Sequence, residues 1–475
     1  MSLLVLCTIH NQFYMYKNLL YFILFTVFTS CTSKEKKSTS LFFAGEIVNP
    51  TSKYVVLHKD AVVIDSSKLD NNNRFSFSLN DITEGLYHFD HDPELQYVYL
   101  KQGDSLMIRL NTSDFDESLI FSGIGENVNN FLLELFLSYE QENALINSFY
   151  ILDSEKFTSK IDSLKNIKLG LLKDLQTEEK FSEKSLEIIN VNIDYNYYSF
   201  LEKYPFKHKQ KTGKKQVEKL PENFYNYRRN LDFDKKGLTY YRPYYNFMKY
   251  HFGNLSYMNC RKKHESSNNF YKRQLHYNKH KLKLIDSLVV EQDLRDNLFR
   301  YFTMDYLLNT HDNNTNNEII VNEFFKLSKN KKHISEINNL YKGIKKLQPN
   351  LDVPNITVYS AEGKKVFFKD ICKDKNAVFY FWSGTQKRHF INVTKRIKTL
   401  NSKYIDYTFY GINIKTDVKR WLNMVDSQKL DRSKQYRAEN FEDLTGKLVL
   451  NKLNKAIIIK DGIIVDAFAD LYTSF

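Results

Sequence analysis

The sequence predicts three successive segments of different fold class: an all-β, sandwich-like segment, an all-α middle region and an α/β C-terminal domain. Three observations predict this. The hydrophobic period changes from two to about 3.6 near residue 125. The final stretch alternates strand-type and helix-type patterns. The chain, at 475 residues, exceeds one ordinary hydrophobic core. The expected boundaries are an address segment and tether over 1–40, the β segment over 41–124, the helical region over 125–350 and the α/β domain over 351–475.

Composition supports folded domains. Hydrophobic residues make up 42% of the chain and aromatics 15%, with 15 Gly and 7 Pro, which argues against long disordered tracts. No internal repeat is visible. The net charge of +13 comes from Lys scattered among Asn, Ser and Tyr, with short runs at Lys207 to Lys215 and Lys279 to Lys283. No nucleic-acid motif accompanies them, so a solvated basic surface is expected rather than a nucleic-acid partner.

Near the N-terminus, Met15 and Lys17 precede the apolar run Leu19 to Phe28, a charged region followed by a hydrophobic region of the kind that directs export. The run is shorter than the roughly 20 residues a spanning helix needs. Phe28-Thr29-Ser30-Cys31 closes it, and a polar stretch from Thr32 to Ser40 follows. This resembles the lipobox of bacterial lipoproteins, which implies lipidation of Cys31, a membrane anchor and a place in the cell envelope, facing the periplasm or the cell surface. The alternative is an ordinary cleaved signal peptide or an uncleaved anchor; either reading exports the chain. With Cys31 lipidated and Cys7 removed, only Cys260 and Cys372 remain as thiols, too few for a disulfide-stapled scaffold.

From Leu41, short alternating runs separated by turn residues predict antiparallel strands at Leu41 to Val48, Tyr54 to His58, Ala61 to Ile64, Phe75 to Leu79, Gly85 to Phe89, Tyr97 to Leu100 and Ser105 to Leu110. Gly103-Asp104-Ser105 reads as a turn in which Asp104 caps the backbone, not as a catalytic element. Phe43-Ala44-Gly45-Glu46-Ile47, Gly85-Leu86-Tyr87 and Tyr99 through Ser105 resemble the β-rich domain that precedes thioredoxin-like domains in many envelope lipoproteins.

Beyond Asn129 the apolar positions Phe131, Leu132, Leu135, Phe136 and Tyr139 fall on one helical face. Similar faces recur at Ile161 to Leu175, Ser182 to Leu201, Leu282 to Leu308 and Glu318 to Leu327, while Lys207 to Lys219 reads as a loop. His276 and His280 are spaced to share a helix face, but no Cys, Asp or Glu pattern completes a metal signature and the surroundings are basic, so no metal is expected there. Tyr240, Tyr241, Tyr244, Tyr245 and Tyr250 read as rings packed on a helical core rather than as a binding shelf.

The C-terminal pattern runs from Val353-Pro354 through a turn at Glu362-Gly363-Lys364, a buried strand Ala377 to Trp382, a helix from Arg388 to Asn401, a strand Tyr407 to Ile414, a helix holding Trp421, Leu422 and Met424, and a hairpin across Lys460-Asp461-Gly462. This order, with Phe381-Trp382-Ser383 at the end of the buried strand, resembles thioredoxin-like disulfide reductases of the TlpA type over roughly residues 350 to 470. In that family the next turn carries Trp-Cys-x-x-Cys at a helix N-terminus, where the helix end lowers the pKa of the attacking thiol. Here Gln386 stands at the attacking position and His389 at the resolving one, and Asn454 stands where the family has a cis-proline facing the turn. The resemblance therefore implies a degenerate redox site with no catalytic residues, no metal and no cofactor. Trp382, Gln386, His389 and Asn454 would border a groove for a peptide or protein partner. A thiol-disulfide oxidoreductase and a structural scaffold of an envelope complex are the alternatives.

Overall fold

A computed structural model describes residues 40–92, 94–264 and 270–475. The export run, Cys31 and the tether lie outside the described residues. No helix among the described residues is long and apolar enough to cross a membrane. The fold comprises N-terminal β-sheets, a middle helical region and a C-terminal thioredoxin-like α/β region. The described residues fall into two compact units. One holds residues up to Asn147 with Asn166–Ile193, the other Ser148–Lys165 with Asp194–Phe475.

In the first unit, strands β1 (Leu41–Val48), β2 (Tyr54–Lys59), β3 (Val62–Lys68), β4 (Arg74–Leu79), β5 (Gly85–His91), β6 (Glu94–Leu100), β7 (Ser105–Asn111) and β8 (Ile120–Ile124) form two four-stranded sheets. Their orders are β4-β1-β7-β8 and β3-β2-β5-β6. The inward residues of both, including Phe43, Phe77 and Ile108 from one and Leu57, Phe89 and Val98 from the other, share one core. Phe43 and Phe89 meet across it with ring centroids 5.7 Å apart. This is sandwich packing of two period-two faces.

The expected all-antiparallel pairing is corrected at β1 and β7, which run parallel with Phe43 opposite Leu106. Strand β8 was not anticipated. It follows the short helix α1 (Phe115–Ser118) and buries only Phe121, so it lacks a readable alternation. Helix α2 (Glu126–Phe149) is fastened to the sheets by two asparagines. The Asn129 side chain accepts from Tyr99 N at 2.7 Å and donates to Tyr99 O at 2.9 Å, and Asn130 makes the same exchange with Phe121. Phe131, Leu135 and Tyr139 are buried as the periodicity requires.

Helices α3 (Ser154–Glu178) and α4 (Glu183–Thr212) contribute to both units, and α5 (Arg242–His264), α6 (Phe270–Leu288), α7 (Gln292–Asn309), α8 (Asn314–Leu327) and α9 (Lys331–Lys345) belong to the second. Two expectations are corrected here. The loop read from Lys207 begins only after Thr212, because His208 Nδ1 bonds Tyr150 O at 2.9 Å and holds the last turn helical. The single helix read over Leu282 to Leu308 is two helices. Asp234 Oδ1 accepts from Val290 N and Glu291 N, and Glu291 then caps α7 through Leu294 N. Of the tyrosine group, Tyr241 and Tyr244 are buried, and Tyr244 OH donates to Asp232 O at 2.7 Å, so these rings are core.

The C-terminal part of the second unit is a seven-stranded sheet built from β9 (Thr357–Ser360), β10 (Lys365–Phe367), β11 (Ala377–Ser383), β12 (Thr408–Ile414), β13 (Gln435–Ala438), β14 (Lys455–Lys460) and β15 (Ile463–Asp470). Its order is β10-β9-β13-β12-β11-β14-β15. Strands β11, β12 and β13 are parallel, β14 runs antiparallel to β11, and β15 runs antiparallel to β14. Every residue of β11 is buried, which explains its unbroken apolar run. The helices α10 (Phe368–Cys372), α11 (Lys387–Lys403), α12 (Val418–Ser427) and α13 (Phe441–Leu448) complete the layers. Placing β12 and α11 beside β11, with the hairpin β14-β15 on its other side, gives the thioredoxin-like arrangement that the sequence order predicts.

Candidate functional site: a groove at the end of the central strand

Strand β11 delivers Trp382 and Ser383 to the C-terminal edge of the sheet, the edge where open α/β folds place their sites. Trp382 itself lies beneath the site rather than in it. It is fully buried, its ring lies 4.4 Å from that of Phe390, and its Nε1 donates to Gln435 Oε1 at 3.2 Å. Gln435 is fixed in turn by donating to Tyr380 OH at 2.9 Å. Gly411 makes room for this pair, since a Cβ there would stand 2.2 Å from Gln435 Oε1.

The turn after β11 is held from below. Gly384 N donates to Thr416 Oγ1 at 2.8 Å and Gly384 O accepts from Arg420 at 2.7 Å, while a Cβ on Gly384 would meet Thr416 at 2.6 Å. Ser383 and Thr385 hydroxyls bond each other at 2.9 Å. Gln386 is the N-cap residue of α11 and makes no side-chain capping bond, and no acidic residue occupies the first turn. The positive end of α11 therefore opens toward the groove.

His389 and Asn454, read from the sequence as facing positions, are brought together. His389 Nε2 lies 3.1 Å from Asn454 Oδ1. An amide oxygen accepts only, so Nε2 carries the hydrogen and Nδ1 is a bare acceptor, which is buried with no hydrogen-bond partner. Burial lowers the His389 pKa, against the opposing effect of the Asn454 bond, so the ring is neutral near pH 7.

On one side of this pair lies a groove of about 410 Å³. Its apolar lining includes Ile414, Phe441, Leu450 and Leu453; Gln386, Lys415, Asn451 and Lys452 supply polar groups, and no carboxylate lines it. On the other side a shallower depression is bordered by Lys395, Arg396 and Tyr472, again without a carboxylate.

The wall formed by α13 and residues 449–454 was missed in the sequence. It is built over Lys455, which is buried. The Lys455 Nζ donates to Leu448 O at 2.6 Å and Val449 O at 3.0 Å, capping the end of α13, and sits 4.0 Å from the Phe468 ring centroid. Burial pulls its pKa down to about 7. The signal available in the sequence was Asn440 before an eight-residue apolar-periodic stretch, since Asn440 caps α13 through Asp443 N.

The two described thiols are elsewhere. Cys260 and Cys372 are buried and form no disulfide among the described residues. Cys372 ends α10 before β11 begins, with Sγ bonded to Phe368 O at 3.3 Å and its pKa pushed up to about 11 by burial. A thiol so placed is protonated at neutral pH. His276 and His280 share a face of α6 with ring centroids 6.4 Å apart, and neither belongs to a metal-capable group among the described residues.

Fold and site together define a thioredoxin-like α/β domain in which Gln386 caps, and His389 lies in the first turn of, the helix that follows the central strand. No protein-family model matches the chain. No curated protein matches it either. Among solved structures, the chain is similar to a thioredoxin-like protein from Bacteroides caccae at 11% identity, covering 55% of this chain and 92% of that one with a TM-score of 0.32. The thioredoxin domain of a thiol-disulfide oxidoreductase from Bacteroides vulgatus matches at 21% identity over 25% of this chain and 87% of that one, with a TM-score of 0.22. A thiol:disulfide interchange protein from a Bacteroides species matches at 21% identity over 26% and 81%, with a TM-score of 0.23.

Proposed function

We propose that this chain is an envelope lipoprotein whose thioredoxin-like domain no longer exchanges thiols and instead holds a peptide segment of a protein partner. The observation that carries this reading is the His389–Asn454 hydrogen bond, which joins the position of the resolving cysteine to that of the facing proline. Thiol exchange needs an attacking thiolate and a second thiol to release the mixed disulfide. Residues 384–389 contain neither.

The groove lining points to the class of segment. An apolar strip flanked by Lys415 and by Lys452, which also pairs with Asp470 at 3.6 Å, and with no carboxylate in its lining suits an extended peptide with a bulky apolar side chain and acidic neighbours. Anchoring through Cys31 would display the domain at a membrane surface, where partner segments are presented at raised local concentration.

The test is fluorescence anisotropy with unstructured peptides that carry one bulky apolar residue flanked either by acidic or by basic residues. The reading expects the acidic set to bind, and Lys452→Glu and Leu450→Asp to weaken that binding about tenfold or more, the loss of one buried contact or charge pair. Equal binding of both sets, or indifference to both substitutions, contradicts it. Anchoring is tested separately by radiolabelled palmitate, which should label the wild type and not Cys31→Ala.

A further inference from the structure

The outer face of the β3-β2-β5-β6 sheet carries a cluster that neither the groove nor the anchor uses. His58 on β2 stands directly opposite His88 on β5, and Asp90 follows two residues along β5 on the same face. The two imidazoles are nearly parallel, 4.7 Å between centroids and 5° between planes. Both present Nε2 to one carboxylate: His58 Nε2 lies 3.2 Å from Asp90 Oδ2 and His88 Nε2 lies 3.9 Å from Asp90 Oδ1. The second separation is too long for a hydrogen bond. Asp90 Oδ1 is accordingly buried without a partner.

A carboxylate oxygen shielded from water and facing an imidazole nitrogen it does not bond has an unmet demand for positive charge. The His58 contact serves Oδ2 and leaves Oδ1 unmet. A divalent ion meets the whole demand once the two stacked rings turn about their side-chain torsions so that each of the three side chains offers a lone pair to one point. We propose that His58, His88 and Asp90 bind a zinc ion, with a fourth position open to water.

The three donor atoms lie within 4.8 Å of one another. Tetrahedral zinc with bonds of about 2.0–2.2 Å sets its donors about 3.4 Å apart, so binding requires the side chains to close by about 1 Å, within torsional reach. Two imidazoles and one carboxylate favour zinc over magnesium or calcium, which prefer all-oxygen shells. Two ligands on one strand and one on its hydrogen-bonded neighbour give the site a rigid base. The side chains are 18%, 14% and 38% exposed for His58, His88 and Asp90, which leaves a path for the ion and its water.

The tag-free full chain, stripped with EDTA, is titrated with zinc by calorimetry and, in parallel, with cobalt by visible absorption. The proposal expects one zinc per chain, a four-coordinate cobalt spectrum bleached by zinc, and a rise in melting temperature on zinc addition. His88→Ala and Asp90→Asn should each lower affinity at least about tenfold, while the His276→Ala, His280→Ala double variant binds as wild type. Failure of the wild type to take up zinc, a six-coordinate cobalt spectrum, or unchanged affinity in folded His88→Ala overturns it. Should a variant not fold, the wild-type cobalt spectrum decides alone.

Discussion

His389 Nε2 and Asn454 Oδ1 are 3.1 Å apart, so the first turn of α11 is tied directly to the residue before β14. A double-mutant cycle with His389→Ala and Asn454→Ala should return a coupling of about 0.5–1.5 kcal/mol, the net worth of a hydrogen bond between partly buried neutral groups. Chemical denaturation of the four proteins measures it.

The same histidine gives a pH signature. Its folded pKa lies below the ordinary imidazole value, so as pH falls through about 6.5 the unfolded chain takes up the proton first. Stability contributed by neutral His389 is thus present above that range and lost below it. Denaturation curves between pH 8 and pH 5 should show a smaller loss in His389→Gln than in wild type.

Lys455 predicts the opposite side of neutrality. Folded, it titrates near 7, whereas an unfolded lysine titrates near 10.4. Between these values the unfolded chain holds the extra proton, so wild-type stability should rise with pH over that window, and Lys455→Met should not share the rise. At neutral pH the Met variant leaves Leu448 O and Val449 O without their donor and should lose about 1–3 kcal/mol, measured by urea denaturation.

Asp104 supplies a test in the first unit. Its Oδ2 accepts from Lys101 N at 2.9 Å, as the turn reading requires, but burial raises its pKa to about 6. The folded form keeps its proton to higher pH than the unfolded chain, so this carboxyl favours folding below about pH 4 and the benefit disappears as pH rises toward 6. Asp104→Asn should flatten that decline, by about 1–3 kcal/mol across the window in denaturation experiments.

Gly411→Ala probes the support under Trp382. The added methyl would stand 2.2 Å from Gln435 Oε1 and 2.7 Å from Tyr380 OH, so it must displace the bonded pair. A loss of about 1–3 kcal/mol, the usual cost of overpacking, is expected from thermal denaturation, with a change in Trp382 fluorescence.

The fold was legible wherever pattern and burial coincide. Strands β4, β5 and β7 alternate because each has one core-facing side, whereas β3 is exposed along almost all of its length, and β11 reads as an unbroken apolar run because both of its faces are covered. His389 and Asn454 could be read as neighbours because Trp382 precedes one and the β14-β15 hairpin follows the other. What could not be read came from partners distant in sequence. Strand β13 is four residues with no alternation and gains its identity only by pairing β12 and β9. The break between α6 and α7 depends on Asp234, more than 50 residues upstream. The parallel pairing of β1 and β7 is invisible to local period. His88 and Asp90 were readable as two residues on one face of β5, but His58 joins them only through the β2-β5 register.

The most direct measurement of the central claim is insulin reduction by dithiothreitol with the full chain, run beside the Gln386→Cys, His389→Cys double variant. The account predicts that the wild type does not accelerate reduction and that the double variant does, because α11 still offers its positive end to a thiol at residue 386. Turnover by the wild type would contradict the account, for it would require a reactive thiol that neither Gln386 nor His389 can provide.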